Sequence, residues 1–159
     1  MLEQAINRSN LSVKLEKARL SLEKAREAHE RYLLKLQNQD LEAAIENYID
    51  AIKLDPSMPE AYYRLATLMW ENGQISIQTA IEQCKTAISL APKNINAHLY
   101  TGYFMKLAKD YKSAEGEFKR AIKIGGINSA RPRLILSLSI LQQMTHEKHT
   151  FLDFFKCMY

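Results

Sequence analysis

The sequence has few of the residues that break helices or cross-link small domains. Its 159 residues include five glycines, four prolines and two cysteines. The scarcity of Gly and Pro argues against a loop-rich fold and predicts long regular elements. Cys84 and Cys157 lie far apart in the chain and suggest no disulfide framework. This cysteine usage predicts the cytoplasm or an equivalent reducing compartment.

The sequence also lacks an uninterrupted apolar stretch of the ~20 residues that a membrane-spanning helix needs. Its first ten residues, MLEQAINRSN, have no apolar core, so we expect no secretory leader. Charge is unevenly placed, because residues 1–118 carry 15 Lys/Arg and 16 Asp/Glu whereas residues 119–159 carry seven and two. The basic C-terminal end either attaches to an acidic partner or an anionic membrane surface, or is simply a solvated charged end.

Motifs that carry chemistry are missing as well. The phosphate-binding patterns G-x-x-x-x-G-K-[ST] and G-x-G-x-x-G and the nucleophile pattern G-x-S-x-G do not occur. His146 and His149 come nearest to a metal site, but no second pair supplies the remaining ligands. Basic residues do not cluster beside the aromatic ones as they do in nucleic-acid binders. We therefore expect no enzyme activity, cofactor, metal, small-molecule substrate or nucleic-acid partner.

What the sequence does contain is an internal repeat. Three segments share the order small, large or apolar, small, then a helix breaker: Ala44, Tyr48, Ala51 and Pro56; Ala80, Cys84, Ala87 and Pro92; Ala114, Phe118, Ala121 and Gly126. The segments between them repeat too, since Tyr62-x-x-Leu65-Ala66-x-x-Met69 aligns with His98-x-x-Thr101-Gly102-x-x-Met105. The small residues allow helix backbones to approach closely while larger side chains fill the gaps, which predicts paired amphipathic helices.

This pattern resembles the tetratricopeptide repeat (TPR) family, in which W-x2-L-G-x2-Y, A-x3-F and P recur about every 34 residues. The resemblance covers residues 25–126 and implies an all-α solenoid of about three antiparallel helix pairs. A helical extension over 1–24 would precede the repeats, and a capping helix over 127–145 and a basic, aromatic tail over 146–159 would follow. We expect helices at about 11–38, 41–54, 59–72, 77–90, 95–108 and 111–124.

The first of these helices contains a heptad seam. Its members are Leu11, Leu15, Ala18, Leu22, Ala25, His29, Tyr32 and Leu36. The seam predicts either a dimeric coiled coil or a helix that packs within the solenoid. The flanking positions hold basic or uncharged residues, so a symmetric parallel dimer would face like charges or no charge. Packing is favoured for residues 25–38, and both interpretations stay open for residues 11–24.

The resemblance further implies a partner groove, since the first helix of each TPR pair lines a concave surface. The corresponding positions here are Glu60, Tyr63, Arg64, Thr67, Trp70 and Glu71 in the second repeat and Asn96, Leu99, Tyr103 and Lys106 in the third. The Lys/Asn/Arg clamp with which chaperone-tail binders of the family hold a C-terminal carboxylate is absent. The set instead predicts a groove for an apolar peptide or amphipathic helix of another protein. The alternative is that Tyr63 and Trp70 merely pack against neighbouring helices.

Two functions fit this sequence. The first is a cytoplasmic adaptor, scaffold or assembly factor that binds a partner segment in the groove. The second is a structural subunit, peripheral to a membrane or part of a larger complex, attached through residues 146–159. That tail combines basic residues with Phe151, Phe154, Phe155 and Tyr159.

Overall fold

The computed structural model describes residues 2–35 and 38–125, and within these ranges the chain forms six helices and no strand. They are α1 (Leu2–Lys35), α2 (Asn38–Leu54), α3 (Pro59–Glu71), α4 (Ile77–Leu90), α5 (Ile95–Leu107) and α6 (Tyr111–Gly125). The predicted all-α architecture is confirmed. The expected bounds agree to within a few residues except at α1, which begins at Leu2 and not near residue 11. The predicted capping helix over 127–145 and the tail over 146–159 lie outside the described residues, and attachment through that tail stays a prediction.

Helix boundaries follow from local chemistry. Ser76 caps α4, its side chain accepting a hydrogen bond from the backbone N–H of Thr79 at 3.1 Å. Asn94 caps α5 in the same way by accepting from the N–H of Ala97, also at 3.1 Å. Pro59 occupies the first turn of α3, where its missing N–H costs nothing. Gly73 follows α3 with a φ of 71°, a left-handed conformation that glycine adopts without strain.

Successive helices pack against one another along the chain. Contacts join α1 to α2, α3 to α4 and α5 to α6, further contacts join these pairs, and α3 also meets α5. The alanines predicted at close crossings, Ala44, Ala80 and Ala114, are 0, 0 and 1% exposed. Their small side chains therefore lie where two helices approach, as the repeat pattern predicts.

The closest approach is at Gly102 in α5. A Cβ atom at this position would lie 2.7 Å from Cε1 and 2.9 Å from Cδ1 of Phe118, which is fully buried in α6. Cys84 is buried too, and burial raises the pKa of its thiol, which is the behaviour of an inert apolar side chain and not of a nucleophile.

The long helix α1 has two different halves. Ala25, Ala28 and His29 are buried, and the first two join the cluster formed with α2 and α3, so packing of this half is confirmed. Farther towards the N-terminus the seam comes to the surface, with Leu11 57% and Leu15 37% exposed. None of the helices within residues 2–35 and 38–125 combines the length and apolar character required to cross a membrane.

Candidate partner-binding groove

The predicted groove positions lie on α3 and α5, which run side by side, with α1 next to α3. Glu60, at the start of α3, connects α3 to α1. Its Oε1 accepts a hydrogen bond from Nε of Arg26 in α1 at 2.7 Å, and its Oε2 contacts a second nitrogen of the same guanidinium. Arg64, one turn along α3, pairs with Glu60 as well, at 2.8 Å between Nε and Oε1. One carboxylate thus lies between two guanidinium groups.

This arrangement fixes the charge of Glu60. Burial by itself would raise the pKa of the carboxyl, but the hydrogen bond from Arg26 and the charge of Arg64 outweigh it, and the pKa is lowered. Glu60 is therefore ionised at neutral pH. The pair also accounts for the position of Arg64, whose side chain is only 14% exposed, because a largely buried cation needs an anionic partner.

Aromatic rings join α3 to α5. The rings of Tyr63 and Tyr100 lie 4.6 Å apart between centroids and are tilted by 32°. Trp70 meets Phe104 edge to face at 5.6 Å, and Tyr103 meets the same ring at 5.8 Å. Such pairs stabilise a contact beyond the area that they bury. The floor of the predicted groove is consequently an aromatic layer.

The predicted groove residues differ in exposure. Four of them, Tyr63, Thr67, Leu99 and Tyr103, are 0–4% exposed. Thr67 also uses its hydroxyl internally, donating to the backbone oxygen of Tyr63 at 2.9 Å. These four side chains therefore form part of the packed interior, as the packing alternative supposed for Tyr63. Their role as partner contacts stays a prediction, and a partner would reach only their edges.

The other six positions keep accessible surface. Asn96 is exposed, and five are half-buried: Glu60, Arg64, Trp70, Glu71 and Lys106. The half-buried set contains two acids, two bases and the indole of Trp70. The surface that a partner can touch is therefore more polar than the sequence alone suggested, with Trp70 as its main apolar element.

Two residues of this layer, Tyr100 and Phe104, were not among the predicted groove positions. Tyr100 is 2% exposed and stacks on Tyr63. It lies 36 residues after Arg64, the same interval that relates Glu60 to Asn96 and Tyr63 to Leu99. Applying that interval to every predicted position would have identified it.

The histidines of the described chain are structural. His98 is 4% exposed, with Nδ1 at 2.7 Å from Oε2 of Glu117 and Nε2 at 3.0 Å from the backbone oxygen of Pro92. His29 is buried with Nδ1 3.5 Å from the hydroxyl of Tyr48. Within residues 2–35 and 38–125, His, Cys, Asp and Glu side chains form no group of three suited to hold a metal. The pair at 146 and 149 lies outside the described residues.

Comparison with known proteins now identifies the architecture. Residues 34–73 match the family model for the TPR repeat. Of the solved structures, the first TPR domain of Spaghetti (RPAP3) bound to an HSP90 peptide has a TM-score of 0.66 and 16% identity, over 81% of this chain and 97% of that chain. The described helices therefore have the fold of a tetratricopeptide repeat domain. Its antiparallel helix pairs are α1–α2, α3–α4 and α5–α6.

Two further TPR domains have the same fold. The Arabidopsis OM64 domain has a TM-score of 0.63 and 22% identity, over 79% of this chain and 96% of that one. The TPR2B domain of yeast Sti1, solved in a complex with pHsp70, has a TM-score of 0.62 and 23% identity, over 82% of this chain and 98% of that one. At these identities the likeness extends to the fold alone. No curated protein matches the sequence.

Proposed function

We propose that this TPR protein is a non-enzymatic adaptor, scaffold or assembly factor that binds an apolar peptide or amphipathic helix of another protein across α1, α3 and α5. The observation that carries the proposal is Trp70. Its indole is only half-buried although it packs edge to face on the buried ring of Phe104. Tryptophan in such a setting is the side chain most enriched among the anchors that dominate protein interfaces.

The groove differs chemically from a receptor for acidic C-terminal peptides. The first TPR domain of Spaghetti was solved with the HSP90 peptide SRMEEVD, and the TPR2B domain of Sti1 was solved in a complex with pHsp70. In the present chain the guanidinium groups of Arg26 and Arg64 already share the carboxylate of Glu60. An incoming carboxylate would have to displace this internal partner, or bind beside it against like charge. The internal pairing of Glu60 with Arg26 and Arg64 therefore favours an apolar ligand over an acidic one.

The polar residues around the groove would supply orientation. Glu71 and Lys106 are half-buried, and Asn96 is exposed. Polar groups at the rim of an interface contribute mainly to register and partner choice, whereas a desolvated aromatic side chain contributes most of the affinity. A partner helix that suits this surface has an apolar stripe that packs on Trp70 and residues of both charges beside that stripe, facing the polar rim.

The experiment uses Trp70 as its own probe, because it is the single tryptophan of the chain. A panel of synthetic amphipathic peptides and the acidic peptide SRMEEVD is titrated into the full chain. Apolar peptides should shift the Trp70 emission to shorter wavelength and reduce its quenching by acrylamide, and SRMEEVD should not. If the acidic peptide alone protects Trp70, the proposed ligand class is wrong.

A pair of variants tests the location. With a fluorescently labelled peptide from the same panel, Trp70→Ala should weaken binding by about tenfold or more. Leu90→Ala removes an apolar side chain that is 41% exposed at the end of α4, away from the groove, and should leave binding unchanged. Melting temperatures of both variants are measured alongside, so that weaker binding is not confused with unfolding. If Trp70→Ala and Leu90→Ala reduced the affinity for the peptide equally, the binding surface would lie outside the groove.

A further inference from the structure

The N-terminal half of α1 carries an apolar stripe whose first turns have substantial exposed surface. Leu11 is 57% and Leu15 37% exposed, whereas Ala18 on the same stripe is fully buried. The exposed part is therefore a continuation of the surface with which α1 packs into the solenoid. A groove of about 300 Å³ runs along it, and its described lining residues are Arg8, Leu11, Ser12, Leu15, Glu16 and Arg19.

The charges beside this stripe are mostly of one sign. Arg8, Lys14 and Arg19 lie within one or two turns of the exposed leucines, and each falls next to the stripe on a helix of 3.6 residues per turn. Among the residues that the structure describes, none of these three cations forms an ion pair within 4.0 Å. Glu16, the one acid in the groove lining, lies farther round the helix. The stripe is an apolar surface bordered by unpaired positive charge.

This charge pattern argues against a second copy of the chain as the occupant. In a parallel or an antiparallel pairing of two α1 stripes, the flanking positions of both helices would contribute Lys, Arg or uncharged side chains. Flanking positions choose the partner of a helical pair, and like charges across them disfavour the pairing. A partner helix that complements these basic flanking positions carries acidic residues at its own flanking positions.

We propose that residues 8–19 of α1 form a second docking surface, which binds an amphipathic helix of another protein whose apolar stripe is bordered by Asp or Glu. Leu11 and Leu15 pack against the partner's apolar residues, and the neighbouring cations pair with its acids. This surface lies on a different part of the chain from Trp70, so the proposal does not depend on the groove. A protein with both surfaces holds two partner segments at once.

The test uses two synthetic three-heptad peptides with Leu at positions a and d. One carries Glu and the other Lys at positions e and g. Binding to the full chain is followed by the fluorescence anisotropy of labelled peptide. The Glu peptide should bind about tenfold or more tightly than the Lys peptide, and added salt should reduce the difference, because exposed charges are screened. Equal affinity for the two peptides would overturn the proposal.

The chain supplies a matched control for the leucines. Val13 and Leu20 are 52 and 50% exposed, and Leu20 lies about 180° round the helix from Leu11. Leu11→Ala/Leu15→Ala should weaken binding of the Glu peptide by about tenfold or more, and Val13→Ala/Leu20→Ala should not. The melting temperatures of both variants should change little, since each of the four side chains is at least 37% exposed. Equal weakening by the control pair would show that the stripe is not the site.

Two further measurements complete the test. Lys14→Glu/Arg19→Glu should reverse the preference and favour the Lys peptide; an unchanged preference would remove the electrostatic part of the proposal. Sedimentation of the full chain should show a monomer. A dimer that Leu11→Ala/Leu15→Ala dissociates would identify a second copy as the occupant and overturn the proposal. Binding of the Glu peptide should leave the emission of Trp70 unchanged, which separates this surface from the groove.

Discussion

The contact between Gly102 and Phe118 permits a stringent test of the packing. Replacing Gly102 with alanine adds one methyl group inside α5. That methyl would lie 2.7 Å from the nearest atom of the Phe118 ring, well inside van der Waals contact. Phe118 is fully buried, so its ring cannot rotate into solvent, and α5 and α6 have to separate or the ring has to leave its preferred rotamer.

The expected magnitude follows from two opposing effects. Alanine in place of glycine in a helix interior stabilises by about 1 kcal/mol. Overpacking a closely packed contact costs about 1–3 kcal/mol. The free energy of unfolding of Gly102→Ala should therefore fall by about 0–2 kcal/mol. Gly116 in α6 isolates the helix effect, because a Cβ there would meet nothing within 4 Å, so Gly116→Ala should gain about 1 kcal/mol.

Urea unfolding of the two variants, followed by far-UV circular dichroism, measures the difference. The two free energies should differ by about 1–3 kcal/mol, which in a chain of this size is ~2–4 °C in melting temperature for each kcal/mol. Phe118→Leu should cost less in the Gly102→Ala background than alone, because the smaller side chain relieves the overlap. Equal stability changes in Gly102→Ala and Gly116→Ala would refute the close approach of α5 and α6.

Two more predictions concern buried titratable groups. Burial lowers the pKa of His29 from 6.5 to about 3, so below pH 6.5 the unfolded chain binds a proton that the folded chain does not. Stability should therefore decline as the pH falls from 6.5 towards 3, by about 2 kcal/mol at pH 5, and urea titrations of His29→Gln should lack this slope. Burial raises the pKa of the Cys84 thiol, so in a Cys157→Ser chain Ellman's reagent should react only after denaturant is added; rapid labelling of the native chain would contradict the packing.

The helices and their crossings could be predicted because the repeat encodes them directly. A small residue such as Ala80 recurs where two backbones approach, and a large one such as Phe118 recurs where a gap has to be filled. Both requirements are steric and local, so spacing alone identifies them. The residue at which α1 begins could not be predicted from spacing in the same way. Its two opposed apolar stripes, one through Leu11 and one through Leu20, cancel each other in any simple test of helical periodicity.

The exposure of the groove residues could not be predicted for a different reason. Spacing shows that Tyr63 and Leu99 occupy equivalent positions, but how much of each remains accessible depends on side chains from other helices. Tyr63 is covered partly because Tyr100 lies against it, and Arg64 is drawn inward by Glu60. The repeat pattern specifies the spacing and size of side chains. It does not specify which chemical groups meet in contacts of this kind between residues. The family pattern therefore identifies the helical face of a groove better than it identifies the surface that a partner can touch.

One hydrogen bond shows how a repeat position can keep its role while its residue changes. The hydroxyl of Tyr62 donates to the backbone oxygen of Pro56 at 3.1 Å. His98, 36 residues later, has Nε2 at 3.0 Å from the backbone oxygen of Pro92. A carbonyl oxygen only accepts, so Nε2 must carry the hydrogen of this bond.

The two proline oxygens lie in the turn between a second helix and the next first helix, where no helical N–H reaches them. A ring of suitable length with a donor at its far end satisfies each oxygen, and tyrosine and histidine both meet that requirement. The substitution has a consequence of its own, because Nδ1 of His98 then meets the buried carboxylate of Glu117 at 2.7 Å. Glu117 in turn contacts Arg120. His98 therefore joins the turn before α5 to a buried acid in α6, a contact that the repeat pattern does not specify because it depends on the chemistry of residues from different helices.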